Sequence, residues 1–150
     1  MAELSDKVHK QIEQFCAKGN DLLGEERYED ALACFSSAWE LLPHPRTDWE
    51  AATWILGAIA DAHFLQDDFA AMREPLMTAM KCEGATGNPF LRLRLGQCLF
   101  ELGELNEAAN WLAGAFLQEG TKLFAEDDPK YLAFIKSKLL PPPGGWPEGR

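Results

Sequence analysis

The sequence predicts an all-α protein made of three helical hairpins followed by a final helix. Apolar and small residues recur at helical spacing in residues 12–43, in two stretches separated by a polar break at residues 24–27. The same arrangement returns twice further along the chain, and segments rich in glycine and proline separate the copies. With 150 residues, of which 47% are apolar, the chain has the size and composition of one ordinary domain.

The first hairpin, at about residues 12–45, shows how the two helices are expected to pack. Gly19, Ala31 and Ala38 are small residues at positions where two helices approach closely. Phe35 supplies the bulk that fills the gap between them, and Pro43 ends the second helix.

Sliding the sequence against itself reveals the repeats. A shift of 77 residues pairs Gly19 with Gly96, Leu22 with Leu99, Tyr28 with Leu105, Ala31 with Ala108, Phe35 with Leu112 and Ala38 with Ala115. A shift of 41 gives a looser copy, which pairs Gly19 with Ala60, Leu23 with Phe64, Tyr28 with Phe69, Phe35 with Leu76 and Ala38 with Ala79. We therefore expect repeats at about residues 12–45, 48–86 and 89–122.

The second repeat departs from the first at both of its helices. Thr47, with Glu50 three residues later, has the spacing of a capping box, which predicts a long first helix over residues 48–65. Pro75 falls inside the second helix, where it removes a backbone donor. We interpret it as a tolerated kink on the outer side, although it could also reshape the binding surface.

The later helix starts are marked more clearly. Asn88 is a predicted N-cap with Pro89 as the first helical residue, and Asp128 with Pro129 repeats this arrangement before a final helix at about residues 128–139. Residues 141–150 are rich in proline and glycine and are predicted to form an extended tail, which Trp146 could anchor to the body.

These repeats resemble the tetratricopeptide repeat (TPR), in which a unit of about 34 residues has small residues in its first helix, an alanine and an aromatic residue in its second, and a terminal proline. The resemblance implies three hairpins stacked as a short right-handed solenoid, closed by a capping helix, within a domain covering residues 1–140. It also implies that the first helices line a concave groove that holds a protein partner.

Counting from the repeat register gives the residues expected to face that groove. The predicted partner-binding residues are Glu13, Asn20, Trp54, Asp61, Phe90, Arg94, Gln97 and Glu101, with Cys16, Gly57, Ala58 and Leu93 between them. Trp54 and Phe90 are the strongest candidate anchors, because large aromatic residues contribute much of the energy of interfaces. The alternative, that both pack between neighbouring helices, stays open.

The charge and the cysteines narrow the class of function. The chain has 24 acidic and 14 basic residues, for a net charge of −10, which disfavours nucleic acid and anionic membranes as partners. No apolar run resembles a signal segment or a membrane span, so we expect a cytoplasmic protein. The four cysteines lack metal-ligand spacing and are predicted to be reduced packing residues.

The sequence offers little for catalysis. It contains none of the common nucleophile, metal or nucleotide motifs, and its three histidines are scattered. We interpret the acidic pairs at residues 25–26, 67–68 and 127–128 as helix caps and solvated corners. A protein that is not an enzyme, and that uses no metal and no cofactor, is the expectation.

Two more specific resemblances concern the partner. TPR domains that hold the acidic tails of heat-shock chaperones use a clamp of Lys, Asn, Asn, Lys and Arg. The equivalent residues here are Cys16, Asn20, Ala58, Phe90 and Arg94, so only Asn20 and Arg94 match and both lysines are missing. Together with the negative charge, this disfavours an acidic peptide partner.

Residues 111–136 are similar to the end of small bacterial TPR proteins encoded beside Rhs or contact-dependent toxins, through an E-G-x-x-x-F segment at Glu119 and a D-P-K-Y-L segment at Asp128. That resemblance implies an immunity protein whose partner is a toxin domain, which the acidic charge predicts to be basic. A type III secretion chaperone that holds an extended client segment, or a general assembly scaffold, are the alternatives. The oligomeric state stays open.

Overall fold

A computed structural model describes residues 4–82 and 84–139, and every regular element in these residues is helical. The predicted tail and Trp146 lie outside the described residues. The α-helices are α1 (Asp6–Gly24), α2 (Tyr28–Glu40), α3 (Glu50–Leu65), α4 (Phe69–Ala79), α5 (Pro89–Glu101), α6 (Leu105–Glu119) and α7 (Pro129–Lys138). Three short 3₁₀ helices, Arg46–Asp48, Ala85–Gly87 and Gly120–Phe124, lie in the connections.

The chain divides into two compact units, which we describe separately. Unit 1, Met1–Ala85, contains the hairpins α1–α2 and α3–α4, and in it α3 packs against both helices of the first hairpin. Unit 2, Thr86–Arg150, contains the hairpin α5–α6, against which α7 and the 3₁₀ helix Gly120–Phe124 pack. The limits proposed for the three repeats stay a prediction.

The repeat register found in the sequence describes the cores of all three hairpins. Its equivalent positions on α2, α4 and α6 have no exposed surface: Ala31, Met72 and Ala108; Phe35, Leu76 and Leu112; Ala38, Ala79 and Ala115. Because these residues recur every three or four positions, each second helix presents one apolar face to its partner. Burial of that face is the main source of stability for a helix of this length.

Two glycines allow the helices of a hairpin to approach closely. Gly19 of α1 faces the ring of Phe35 on α2, and a Cβ atom at position 19 would overlap with that ring. Gly96 of α5 faces Leu112 on α6 in the same way, where a Cβ atom would lie 2.6 Å from the Leu112 Cγ. Phe35 and Leu112 therefore fit at these crossings only because the first helix has no side chain there.

The turn inside each hairpin has the same backbone geometry. Glu26, Asp67 and Gly103 occupy equivalent positions under the shifts of 41 and 77, and all three have a positive φ, of 60°, 57° and 84°. Only glycine adopts this left-handed conformation without a steric penalty, so the first two turns hold a mildly strained residue where the third does not.

Two of the three predicted helix starts are confirmed. The Asn88 side chain accepts hydrogen bonds from the amides of Phe90 (2.9 Å) and Leu91 (3.3 Å), and Asp128 accepts one from Lys130 (3.0 Å). Pro89 and Pro129 are the first residues of α5 and α7.

The capping box predicted at Thr47 is wrong. Thr47 lies within the 3₁₀ helix Arg46–Asp48, and the residue before α3 is Trp49, whose side chain makes no cap. The Trp49 indole nitrogen instead donates to the Pro43 carbonyl at 2.7 Å. The backbone bond from the Trp49 amide to the Arg46 carbonyl, at 3.3 Å, closes a tight turn there, so α3 begins only at Glu50.

Helix α4 runs through Pro75 without interruption, from Phe69 to Ala79. Pro75 is half-buried, while Met72, Leu76 and Ala79 form the buried face of the helix. The proline thus removes one backbone hydrogen bond without breaking the apolar face that holds α4 in place.

Replacing Gly19 by alanine is expected to lower the free energy of unfolding by about 1–3 kcal/mol, because overlap with Phe35 outweighs the gain in helix propensity. Gly24→Ala is the matched control, since no atom lies within 4 Å of a Cβ atom at that position of the same helix. Urea unfolding followed by circular dichroism measures both. Equal effects of the two substitutions would contradict the packing role of Gly19.

Candidate functional site

The predicted groove residues fall in both units. Glu13 and Asn20 lie on α1, and Trp54 and Asp61 lie on α3, all within unit 1. The four predicted on α5 belong to unit 2: Phe90, Arg94, Gln97 and Glu101. Because the spacing i, i+4, i+7, i+11 keeps residues on one side of a helix, those four form a single row along α5.

The middle of the α5 row is occupied by a carboxylate of the same chain. Arg94 Nη1 donates to Gln97 Oε1 at 2.8 Å and to Asp127 Oδ2 at 3.2 Å, and Gln97 Nε2 donates to the same Asp127 oxygen at 2.9 Å. Gln97 has no exposed surface, and the Asp127 side chain is only 13% exposed. The expectation that Gln97 faces an open groove is therefore not met, because Asp127 covers it.

This geometry also corrects the interpretation of the acidic pair at residues 127–128. Asp128 caps α7 as expected, but Asp127 is not a solvated corner. Its carboxylate accepts charge-assisted hydrogen bonds from Arg94 and Gln97. These bonds attach the capping segment, which we define as residues 125–138 including α7, to α5.

The C-terminal end of the α5 row is closed by α7. Lys130 Nζ lies 3.0 and 2.9 Å from the two carboxylate oxygens of Glu101, and the Tyr131 hydroxyl donates to one of them at 3.4 Å. The Glu101 side chain is 14% exposed, so its charge is largely neutralised inside the protein. The Tyr131 ring packs edge-on against Phe100, with ring centres 5.5 Å apart.

Burial, followed by the neighbouring charge of Glu101, raises the pKa of Tyr131 well above its usual range. The phenolate form would lose its hydration and would face a carboxylate at hydrogen-bond distance. Tyr131 therefore stays protonated and donates its proton to Glu101.

Unit 1 presents the same register positions differently. One row on α1 consists of His9, Glu13, Cys16 and Asn20, and one row on α3 consists of Trp54, Ala58, Asp61 and Leu65, each at the spacing i, i+4, i+7, i+11. The ring of His9 meets the ring of Trp54 edge-on, with centres 6.2 Å apart, so the two rows lie side by side. We call these two rows the α1/α3 face.

Several members of the α1/α3 face are exposed. Trp54 is 40% exposed and Leu65 52% exposed, while the Glu13 side chain is 57% exposed beside His9. Of the two aromatic anchors predicted from the sequence, Trp54 thus belongs to this face. Phe90, at the start of α5, is 66% exposed.

Sequence reasoning missed His9 and Leu65. His9 was set aside as one of three scattered histidines, but α1 begins at Asp6, where the Ser5 hydroxyl accepts a hydrogen bond from the Val8 amide at 3.2 Å, so His9 lies within the helix. A serine before an acidic first turn is an N-cap signal that could have revealed the longer helix. Leu65 could have been found by continuing the α3 row by four residues beyond Asp61.

The negative charge is concentrated in unit 1. Residues 1–85 include 16 acidic and 7 basic residues, and residues 86–150 include 8 and 7, so the formal charges are −9 and −1. The electrostatic potential that steers a charged partner therefore arises mainly from unit 1.

The cysteines and the acidic residues do not form a metal site in the described part of the chain. All four cysteines are free, and only Cys16 is more than marginally accessible, since Cys34, Cys82 and Cys98 are buried. Burial raises the pKa of the Cys16 thiol. Among residues 4–82 and 84–139, no three His, Cys, Asp or Glu side chains are grouped so that they could hold a metal ion.

None of the helices in the described residues is both long and apolar enough to cross a membrane. No family model matches the chain, and no curated protein matches it.

The solved structures that it resembles define the class of fold. The second TPR domain of human RPAP3, in complex with an HSP70 peptide, superposes with a TM-score of 0.65 at 18% identity, covering 87% of this chain and 96% of that one. The type III secretion chaperone SycD of Yersinia enterocolitica, in complex with a peptide of the translocator YopD, gives a TM-score of 0.66 at 18% identity, covering 89% and 93%. The second TPR of Spaghetti bound to an HSP90 peptide gives 0.63 at 19%, covering 77% and 100%. The all-α, TPR-type solenoid fold predicted from the sequence is confirmed.

Removing the Asp127 carboxylate is expected to destabilise the protein. Asp127→Ala leaves the buried Gln97 amide without its acceptor, at a cost of about 2–3 kcal/mol in the free energy of unfolding. The neighbouring Glu126 is exposed, and Glu126→Ala should change that free energy by less than about 0.5 kcal/mol. Chemical denaturation of both variants makes the comparison, and similar losses would exclude a specific role for Asp127.

Tyr131 is expected to make stability depend on alkaline pH. In the unfolded chain its hydroxyl titrates near the ordinary value of 10.0, and in the folded protein it titrates higher, so the unfolded state binds fewer protons between the two values. The stabilisation is present below pH 10 and is lost above it, by up to about 1.4 kcal/mol per pH unit. Urea unfolding between pH 8 and 11 should show a steeper decline for the wild type than for Tyr131→Phe, and parallel curves would contradict the assignment.

Proposed function

We propose that this protein is a non-catalytic protein-binding module of the cytoplasm, and that it acts as an immunity protein that binds and neutralises a basic toxin domain. The observation behind the binding role is the fold, since the RPAP3 domain and SycD are both described in complex with peptides of other proteins. The α1/α3 face, with its exposed Trp54 and Leu65, has the large apolar side chains that anchor protein interfaces.

The charge distribution supports a basic partner. A formal charge of −9 on unit 1 accelerates encounter with a positively charged protein and repels acidic ones. Toxin domains that act on nucleic acids need cationic surfaces to bind phosphates, so an acidic inhibitor complements them. Immunity requires fast, tight capture, which electrostatic steering favours.

The residues behind the resemblance to immunity proteins form the C-terminal cap. Gly120 has a φ of 73° and opens the 3₁₀ helix Gly120–Phe124, and Phe124 is buried against Phe116 with ring centres 6.3 Å apart. Asp128 caps α7 and Tyr131 is buried below it. The resemblance therefore concerns how the solenoid is closed, while the charge supplies the argument about the partner.

A type III secretion chaperone is the second candidate. It is favoured by the likeness to the SycD–YopD peptide structure, which covers 89% of this chain. A second similar structure of SycD is described as an alternative dimer. A chaperone of this kind would hold an extended segment of an unfolded client, whereas an immunity protein would form a stoichiometric complex with a folded domain.

Co-expression separates the two candidates. The immunity role predicts that a product of a neighbouring gene arrests growth when it is produced alone, and that this protein restores growth and co-purifies with that product as a complex of fixed stoichiometry. Growth arrest without rescue, together with failure to co-purify, would exclude the immunity role. Protection of an unfolded translocator from aggregation, measured by light scattering, would instead support the chaperone.

Acidic peptides of the heat-shock type are expected not to bind. Arg94 already holds the Asp127 carboxylate, and both lysines of the clamp are replaced by Cys16 and Phe90. Isothermal titration with SRMEEVD and SGPTIEEVD should therefore give no saturable binding up to about 1 mM peptide. A dissociation constant of about 1 mM corresponds to a binding free energy of about −4 kcal/mol. The second TPR domain of RPAP3 is the positive control. Micromolar binding to this protein would contradict the electrostatic argument.

A further inference from the structure

We propose that the partner binds on the α1/α3 face of unit 1, and that it presents lysine or arginine beside apolar side chains. This inference rests on the proposed function as a protein-binding module and adds the surface and the chemistry of the partner. It departs from the expectation that all three first helices contribute equally to one groove.

The first argument is that the equivalent row on α5 is already used by the chain itself. Gln97 is fully buried under Asp127, and Glu101 is held by Lys130 and Tyr131. A partner could reach Gln97 and Glu101 only by separating the segment at Asp127 and α7 from α5 and leaving a buried amide without its hydrogen bond, which is costly. Phe90 at the start of the row is exposed, but it belongs to the nearly neutral unit 2. In unit 1, by contrast, the apolar residues Trp54 and Leu65 are exposed without any rearrangement.

The second argument is the exposed apolar surface. Trp54 and Leu65 lie on the same side of α3, eleven residues and therefore about three turns apart, and the smaller Ala58 lies between them. Trp54 rests edge-on against His9, which fixes its ring without covering it completely. Two exposed apolar side chains with the small Ala58 between them fit a partner segment that carries two apolar side chains at a similar separation.

The third argument is electrostatic. The exposed carboxylate of Glu13 pairs with His9, whose ring contacts Trp54, and unit 1 has a formal charge of −9 against −1 for unit 2. A cationic side chain placed at Trp54 would gain the face of the tryptophan ring, which attracts cations, and the negative potential of unit 1, to which the exposed Glu13 contributes. An acidic partner would meet repulsion from the whole unit.

Other exposed apolar residues lack this combination. Leu117 on α6 is 73% exposed and belongs to the nearly neutral unit 2, and Met77 on α4 is 45% exposed on the second helix of its hairpin. Single exposed apolar residues of this kind are common on protein surfaces. They provide matched controls for the two anchors.

Cys16 provides a reporter within the proposed surface. It lies in the α1 row between Glu13 and Asn20, and it is half-buried while Cys34, Cys82 and Cys98 are buried. Its rate of alkylation by iodoacetamide, followed by mass spectrometry of the intact folded protein, should therefore report occupancy of the α1/α3 face.

The probe is an acetylated and amidated leucine–lysine peptide, LKKLLKLLKKLLKL, with its glutamate counterpart, LEELLELLEELLEL, as the control. At saturation the lysine peptide should slow alkylation of Cys16 at least about fivefold, and added salt should weaken this protection. Trp54→Ala and Leu65→Ala should each raise the dissociation constant about tenfold. Met77→Ala and Leu117→Ala should leave it unchanged within about twofold.

A charge-matched pair tests the electrostatic part. Glu13→Lys and Glu107→Lys change the net charge equally, and Glu107 is exposed on α6 in unit 2. Only Glu13→Lys should weaken binding of the lysine peptide about tenfold, provided that circular dichroism shows both variants to be folded.

The proposal would be overturned by equal protection of Cys16 by the glutamate peptide, by no protection by the lysine peptide, or by equal effects of the Trp54 and Met77 substitutions. Protection that grows with protein concentration when no peptide is present would assign the face to a second copy of the chain, and would also overturn it. If the toxin co-purifies while the face proves inert, the proposed function stands and this inference alone fails. If the face binds the peptide but no toxin is captured, the inference stands without the immunity role.

Discussion

The contact between a helix backbone and a large side chain, at the crossing of the hairpins α1–α2 and α5–α6, is the constraint on which much of the structure depends. At Gly19 and Gly96 the first helix has no side chain, and Phe35 or Leu112 of the second helix fills that space. This contact fixes the distance and the rotation of the two helices, and thereby decides which residues point away from the partner helix. The directions of the rows at Glu13 on α1 and Phe90 on α5 follow from it, because these rows lie at fixed angles from the crossing residue of the same helix.

The same rows serve different purposes in the two units. In unit 2 the row is polar beyond Phe90, and this polar part is completed within the chain, since Asp127 and Lys130 bring the opposite charges to Arg94 and Glu101. A half-satisfied buried network would be worse than an apolar one, so the capping segment and α5 depend on each other. In unit 1 the row contains a tryptophan and a leucine that remain exposed, together with most of the negative charge of the chain. The row of unit 2 is thus largely closed by the chain itself, while that of unit 1 keeps exposed apolar residues.

Much of the fold was accessible from the sequence because its signals are local. The spacing of Ala31, Phe35 and Ala38, and its recurrence after 41 and 77 residues, identified the hairpins and their buried faces. The caps at Asn88 and Asp128 were also predicted, since an N-cap depends on the side chain and amides within three residues. The start of α3 was misplaced because Trp49 and Arg46 bond to the preceding segment, which competes with the local preference of Thr47.

By itself the sequence determined the class of fold, the register of the repeats, the acidic charge and the set of residues on one side of each first helix. Only the tertiary structure decided which members of that set are exposed. Gln97 is buried because Asp127, 30 residues away, reaches it, and Glu101 is neutralised by Lys130 from a distance of 29 residues. Periodicity reports the direction in which a side chain leaves its helix, but the groups it meets there come from distant parts of the chain, and their positions follow from packing.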